Sequence, residues 1–197
     1  MLKPGVILYF VRHGETDWNA AKRYQGQRDI PLNATGRAQA ARNGRALAAA
    51  LGESAHALDY VASPLKRACE TMEIVRRELG LAPSGYHNDD RLKEMHYGHW
   101  EGQLWDDLPA TDPEGFAARK ADAWSWQPHG GESYGQLSRR IACWLQEISR
   151  DSVVVAHGGV SRALRGLVLR LPEAEIPFLA VPQDKVLVIE TGRIGWL

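Results

Sequence analysis

The sequence predicts an α/β layered fold with a mainly parallel central sheet, and three observations carry that prediction. Short β-rich apolar runs alternate with longer segments of helical character. The first run, Val6-Ile7-Leu8-Tyr9-Phe10-Val11, is continuously apolar rather than alternating, as for a strand covered on both faces. The chain has 197 residues, 44% apolar and 24% charged, which is enough for one sizeable core and too apolar for disorder. It is read as a single domain over 1–197, without internal repeats or low-complexity linkers.

The elements follow in order. After the first strand a polar loop runs from Gly14 to Leu32. Asn33 is placed to cap a helix through Leu51, with Gly52 just past its end. Asp59-Tyr60-Val61-Ala62 reads as a second strand. Ser63-Pro64 then reads as an N-cap followed by proline at the first helical position, opening a helix to about Leu79. The stretch from about 95 to 130 holds four of the seven tryptophans (Trp100, Trp105, Trp124, Trp126) and three prolines. It is expected to form short helices and loops, as a lid or side wall. Ser133 with Gln136 three later is a capping-box signature for a helix to about Ile148. Ser152 to Ala156 is a further buried strand, and Gly158-Gly159 leads into a helix to about Leu171. Val186 to Ile189 is the last strong strand, with Ile194 to Leu197 expected beside it.

Composition excludes several classes. Lys and Arg together number 24, as do Asp and Glu, so the basic excess of a nucleic-acid or membrane-surface binder is missing. Arginine supplies 18 of the 24 basic residues, and its fork suits carboxylate or phosphate. The two cysteines, Cys69 and Cys143, fit no metal-type spacing and no disulfide framework, so a reducing cytoplasmic setting is expected. Neither has arginine six positions on (Val75 and Ser149 stand there), which excludes a cysteine-phosphatase loop. No apolar run approaches the ~18–20 residues of a membrane span.

Chemistry concentrates where three strands end. The first runs into Arg12-His13-Gly14-Glu15-Thr16, the second into Ser63-Pro64-Leu65-Lys66-Arg67, and the strand at 152–156 into His157-Gly158-Gly159. Ligands of open α/β sheets bind beyond the carboxyl ends of the strands. If these strands are neighbours, two histidines and two arginines converge there. Helix N-termini after Ser63 and after His157 would aim free N–H groups at the same place. Arg12 and Arg67 would supply fixed charge for a phosphate dianion. A neutral imidazole can accept a phosphoryl group on nitrogen. The second histidine can remain protonated near the anion and stabilise developing charge. Glu94, in a segment rich in aromatics, is the candidate proton donor for a leaving oxygen, ahead of Glu15, Glu101 and Glu132.

With those residues assembled, the chain resembles the histidine phosphatase superfamily, also called phosphoglycerate-mutase-like. The resemblance rests on Arg12-His13-Gly14-Glu15-Thr16 with Asn19, Gln25-Gly26, Asp29-Ile30-Pro31-Leu32 and Ser63-Pro64-Leu65 with Arg67-Ala68 and Thr71. It continues through Glu94, Tyr97-Gly98, Trp100-Glu101-Gly102, Gly130-Gly131-Glu132-Ser133 and His157-Gly158-Gly159, in order over essentially the whole chain. It implies a three-layer α/β/α sandwich and a metal-independent phosphomonoesterase that needs no cofactor. His13 would be the nucleophile that becomes phosphohistidine, with Arg12, Arg67 and His157 around the phosphate and Glu94 as proton donor. Thr16, Asn19, Gln25, Gly26, Tyr97 and Gly158 match positions around phosphate or substrate in such proteins.

Mutases of this superfamily are longer, with basic side chains in a segment inserted after the acid. Here Gln103-Leu104-Trp105-Asp106-Asp107 follows Gly102, and Arg119-Lys120 is the only basic pair nearby. The phosphatase branch is therefore expected, with a substrate tail of low polarity or loose specificity. The partner is a small phosphomonoester, not a nucleic acid or a membrane. The oligomeric state stays open, a homodimer included. The alternatives are mutase-type transfer, a non-catalytic phospho-ligand binder, and a serine hydrolase using Ser161 in the elbow-like Gly159-Val160-Ser161-Arg162-Ala163. A metal at His87, His96 and His99 is not expected, because no cysteine or carboxylate cluster completes it.

Overall fold

The structure, a computed structural model, describes residues 2–197. Six strands form one sheet: β1 (Leu8–Arg12), β2 (Asp59–Ala62), β3 (His87–Asn88), β4 (Ser152–Ala156), β5 (Val186–Glu190) and β6 (Arg193–Trp196). Their order is β3-β2-β4-β1-β5-β6. β1, β2 and β3 run parallel to their neighbours through β4 and β2, whereas β5 pairs antiparallel with β1 and β6 antiparallel with β5. The two-residue strand β3 lacks any apolar run and was not expected from the sequence.

Helices cover both faces: α1 (Asp17–Ala20), α2 (Ala34–Leu51), α3 (Lys66–Glu78), α4 (Leu108–Thr111), α5 (Pro113–Ala121), α6 (Tyr134–Glu147) and α7 (Gly158–Leu169). Successive strand residues point to opposite faces, so the buried runs feed two cores. On one face Leu8, Phe10, Val61 and Val154 pack with Leu137, Ile141 and Leu164 of α6 and α7. On the other, Val11, Ala62, Val153 and Val155 pack with Leu47, Met72 and Val75 of α2 and α3. This is the three-layer α/β/α arrangement the sequence implied.

Asn33 caps α2 through a bond from the Gly36 N–H at 2.9 Å, and Ser133 with Gln136 forms the expected capping box of α6. The start of α3 differs. Ser63 is not its cap: the helix begins at Lys66, and the Lys66 N–H is satisfied by Asp29 Oδ1 at 2.7 Å. The Tyr97–Trp126 region is a side wall packed on the core. Trp100 is fully buried, donates to Asp112 Oδ2 at 2.7 Å, and lies against Trp126 with ring centres 4.2 Å apart. Only Trp105 of the four tryptophans presents a substantial surface, at 38% exposed.

Candidate active site

β1, β4 and β2 are adjacent, so the residues at their carboxyl ends meet, as the strand-end argument requires. A cavity of about 140 Å3 lies there, lined among others by Arg12, His13, Asn19, Arg67, Glu94 and Gly158. Gln25, Gly26 and Tyr97 line it too. Thr16 stands behind them, fully buried, capping α1 and donating from Oγ1 to Gln25 Oε1 at 2.9 Å.

His13 is 2% exposed, and its hydrogen bonds fix its tautomer. Nδ1 lies 2.7 Å from the Gly14 carbonyl, which can only accept, so Nδ1 carries the proton. Nε2 is then the lone-pair nitrogen, and Arg67 Nε donates to it at 3.3 Å. Burial first, then the charges of Arg67 and Arg12, hold this imidazole well below its ordinary pKa. A neutral ring with its lone pair toward the Arg67 guanidinium suits a nitrogen nucleophile for a phosphoryl group.

Arg67 is fully buried and clamped by carbonyls. Nη1 donates to Arg28 O at 2.6 Å and Nη2 to Gly26 O at 2.7 Å, which aims Nε at the histidine. Burial lowers its guanidinium to about 10, so it stays charged at neutral pH. Gly26 is required: its φ is +50°, and a Cβ would meet Glu101 Oε1 at 1.9 Å. Arg12 Nη1 donates to Val181 O at 2.5 Å. Asn19 Oδ1 accepts from the Thr16 N–H at 3.2 Å.

Burial, then the charges of Arg67 and His13, press the His157 pKa well below its usual value, so the ring is neutral in the free protein. Its ring centre is 5.0 Å from that of His13, and its Nε2 lies 2.7 Å from Ser63 Oγ. That contact explains why Ser63 caps no helix. His157 Nδ1 and Arg12 Nε are buried without a hydrogen-bond partner. Arg12 Nε is necessarily a donor; left unmet it costs about 1–3 kcal/mol, and an oxyanion beside it would remove that cost.

At each helix N-terminus a carboxylate already takes one amide, Lys66 at α3 and Gly159 at α7. Glu94 occupies the start of α7: the Gly159 N–H donates to both its oxygens, at 3.0 and 3.2 Å, and the Met95 N–H donates to Oε1 at 2.9 Å. The Glu94 carbonyl accepts from Arg140 Nη2 and from Gln27 Nε2, both at 3.1 Å. Arg140 is itself paired with Glu132 at 2.8 Å. The carboxyl is thereby held in the wall of the cavity.

The other carboxylates near the site are committed elsewhere. Glu101 accepts from the N–H groups of Gln27 and Tyr97 and pairs with Arg28. Glu15 accepts from Asn33 Nδ2 at 2.9 Å. Ser161 is fully buried and its hydroxyl has no hydrogen-bond partner, so no base activates it and the serine-hydrolase reading fails. His96 accepts from the Gly98 N–H and His99 meets Asp112. Among the described residues no group of three or more His, Cys, Asp or Glu could hold a metal. No helix among them is long and apolar enough to cross a membrane.

Sequence reasoning missed Gln183, which donates to His13 O at 3.0 Å and whose carbonyl accepts from Asn43. It also missed Tyr24, Arg23 and Arg162, which line the cavity mouth. Gln183, Arg23 and Tyr24 lie in no strand-end motif, and Arg162 stands in the elbow-like segment 159–163, considered above only for Ser161.

Comparison with known proteins agrees with this geometry. A glucosyl-3-phosphoglycerate phosphatase of Mycobacterium tuberculosis is 36% identical over 185 residues, covering 87% of this chain and 79% of its own. A metal-independent phosphoserine phosphatase of Arabidopsis thaliana is 36% identical over 173 residues, covering 85% and 69% respectively. The solved structure of mycobacterial glucosyl-3-phosphoglycerate phosphatase with VO3 superposes with a TM-score of 0.78 at 32% identity, over 98% of this chain and 97% of that one. The family model of the histidine phosphatase superfamily (branch 1) matches residues 8–197, the span that builds the sheet and every side chain of the cavity. The chain therefore belongs to the histidine phosphatase superfamily.

Proposed function

We propose that this protein is a metal-independent phosphomonoesterase acting on a small phosphorylated metabolite through a phosphohistidine at His13. The observation that carries the reading is the His13 ring itself: proton fixed on Nδ1, lone pair on Nε2, and Arg67 Nε 3.3 Å away. The whole chain serves as one catalytic domain, in the cytoplasm.

Nε2 attacks phosphorus while the ester P–O bond breaks. Arg12, Arg67 and Asn19 hold the phosphoryl oxygens, with Gly158 allowing close approach. Once an anion sits among them, the charges that keep His157 neutral are offset, and its unpartnered Nδ1 can serve the same oxygens. Glu94 donates its proton to the leaving oxygen. It then takes a proton from water, which attacks phosphorus and breaks the P–N bond. Inorganic phosphate leaves and His13 returns neutral. Thr16 and Gln25 position Asn19 and the cavity floor, and Tyr97 and Gly26 shape the side facing the ester.

The test is phosphate release from a panel of phosphomonoesters with chelator present, His13→Ala serving as blank. Release that survives in the variant, or stops on chelation, contradicts the reading. Isomerisation of a phosphoglycerate faster than phosphate release would favour the mutase alternative. Tight ester binding without turnover would favour a binding protein.

A further inference from the structure

The strand ends of the site are fixed to one another by the sheet ladder. The Ser63 N–H donates to Val155 O at 2.9 Å and the His13 N–H to Ala156 O at 2.9 Å. Both residues are thereby registered on the end of β4, which His157 follows directly. Ser63 meets His157 from 94 positions away in sequence, with the ring Nε2 2.7 Å from its Oγ. Both residues are fully buried, out of reach of bulk water. The hydroxyl serves no helix: Leu65 is the N-cap of α3, and no side chain bonds there.

The direction of the bond between Ser63 and His157 follows from counting donors and acceptors. Among the described residues the Ser63 hydroxyl has two hydrogen-bond neighbours, the Leu65 N–H at 3.4 Å and His157 Nε2. A backbone N–H can only donate, so Leu65 uses a lone pair of the hydroxyl oxygen. His157 Nε2 is then the one acceptor within reach of the hydroxyl proton. If Nε2 carried hydrogen instead, in the other neutral tautomer or in an imidazolium, a fully buried hydroxyl proton would have no acceptor. Buried polar hydrogens are paired in the large majority of cases, so Ser63 donates and Nε2 accepts. A neutral imidazole that accepts on Nε2 carries its proton on Nδ1. Burial and the charge of Arg67 oppose a second proton on this ring.

The Nδ1 protonated in this way is buried and has no partner. It is a donor without an acceptor, in a ring centred 5.0 Å from that of His13. The two histidines therefore share one tautomer and put it to opposite uses. His13 spends its Nδ1 proton on the Gly14 carbonyl at 2.7 Å and keeps a lone pair on Nε2. His157 spends its Nε2 lone pair on Ser63 and keeps an N–H. A carbonyl behind one ring and a hydroxyl behind the other make a nucleophile and a donor from the same side chain.

Resting on the phosphomonoesterase reading, we infer that Ser63 is a positioning residue for phosphoryl transfer. Its hydroxyl holds His157 as the Nδ1–H tautomer, a neutral donor set for a phosphoryl oxygen before substrate arrives. Binding then requires neither tautomer exchange nor proton uptake at this ring, which is the advantage of a preorganised donor.

Nitrogen-15 NMR of histidine-labelled protein tests this, because protonated and lone-pair ring nitrogens give well-separated signals. The His157 signals are those lost in His157→Gln. In ligand-free wild type at neutral pH, His157 should show a proton on Nδ1 and a lone pair on Nε2. A proton on Nε2 overturns the inference, whatever any variant does. In Ser63→Ala both tautomers should appear, and a single Nδ1–H form there would also overturn it. Inorganic phosphate added to wild type should shift the His157 Nδ1 signal together with that of His13 Nε2. It should bind Ser63→Ala about two-fold or more weakly, by the reciprocal of the Nδ1–H fraction. A purely structural serine would give lower stability with tautomer and phosphate affinity unchanged, which contradicts the inference. A His13 signal that moves with phosphate while His157 stays still contradicts it as well. If neither moves, phosphate does not bind and the phosphomonoesterase reading fails, while the tautomer of the free protein is still read without it.

Discussion

Gly159→Ala is the substitution that isolates the proton donor. A Cβ there would stand 2.4 Å from Glu94 Oε1 and 3.1 Å from Leu137 Cδ2. Ordinary contact begins near 3.4 Å, so the carboxyl must retreat by about 1 Å and its bonds from the Gly159 N–H at 3.0 and 3.2 Å are stretched or lost. A misplacement of that size costs about 10²-fold in rate, within the ~10²–10⁴ that a positioned acid contributes. The loss should depend on the leaving group. In single-turnover experiments an alkyl phosphate needs its oxygen protonated and should slow by about 10²-fold. p-Nitrophenyl phosphate releases a stable phenolate and should slow by less than about ten-fold. Glu94→Gln should reproduce the selectivity without the steric change. The crowding at Leu137 is expected to cost about 1–3 kcal/mol of stability, which thermal unfolding measures separately. An equal loss for both esters, in both variants, would refute the assignment of Glu94 as proton donor.

Other outcomes follow from the same contacts. His13 and His157 have pKa values depressed below 6.5 in the folded chain, so the unfolded chain binds more protons as pH falls. Their contribution to stability is complete above about pH 6.5 and is lost progressively below it, so Tm should fall between about pH 7 and 5, less steeply in His13→Asn; equal slopes would contradict the shift. Ser63→Ala removes the bond at 2.7 Å to His157 Nε2 and leaves a buried imidazole with neither nitrogen paired; unfolding should show a loss of about 1–3 kcal/mol. In Gly36→Ala the new Cβ would meet the Glu15 carbonyl oxygen at 2.1 Å, where α2 crosses the loop after β1. A loss of stability of about 1–3 kcal/mol or more is expected by denaturant titration, and an unchanged midpoint would refute that packing.

What the sequence revealed and what it hid have distinct physical causes. Val6 to Val11 is buried or half-buried throughout and Ser152 to Ala156 is fully buried, so their apolar runs declare them as strands. His13, Arg67 and His157 sit directly after such strands, so the sheet order alone brings them together. Asn33, Ser133 and Gln136 bond within three residues of themselves, and local signatures find them. The misread features all depend on partners far along the chain. Ser63 looks like a cap, yet its hydroxyl meets His157, 94 positions away. The amide at the start of α7 looks free for phosphate, yet Glu94 fills it from 65 positions away. Arg23, Tyr24 and Arg162, which also line the cavity, come from two separate segments and share no local signature. Trp100 and Trp126, in the segment read as a lid or side wall, pack in and against the core.

The central claim is a phosphoryl group on His13, and trapping it is the most direct test. The protein is mixed with ester labelled in its phosphate, quenched in base within one turnover, and digested for mass spectrometry. The account predicts one label per chain, in the peptide carrying His13, stable to base, lost in acid and absent from His13→Ala. Label on His157 or on a serine, or phosphate release at full rate with no labelled protein at any time, would contradict it.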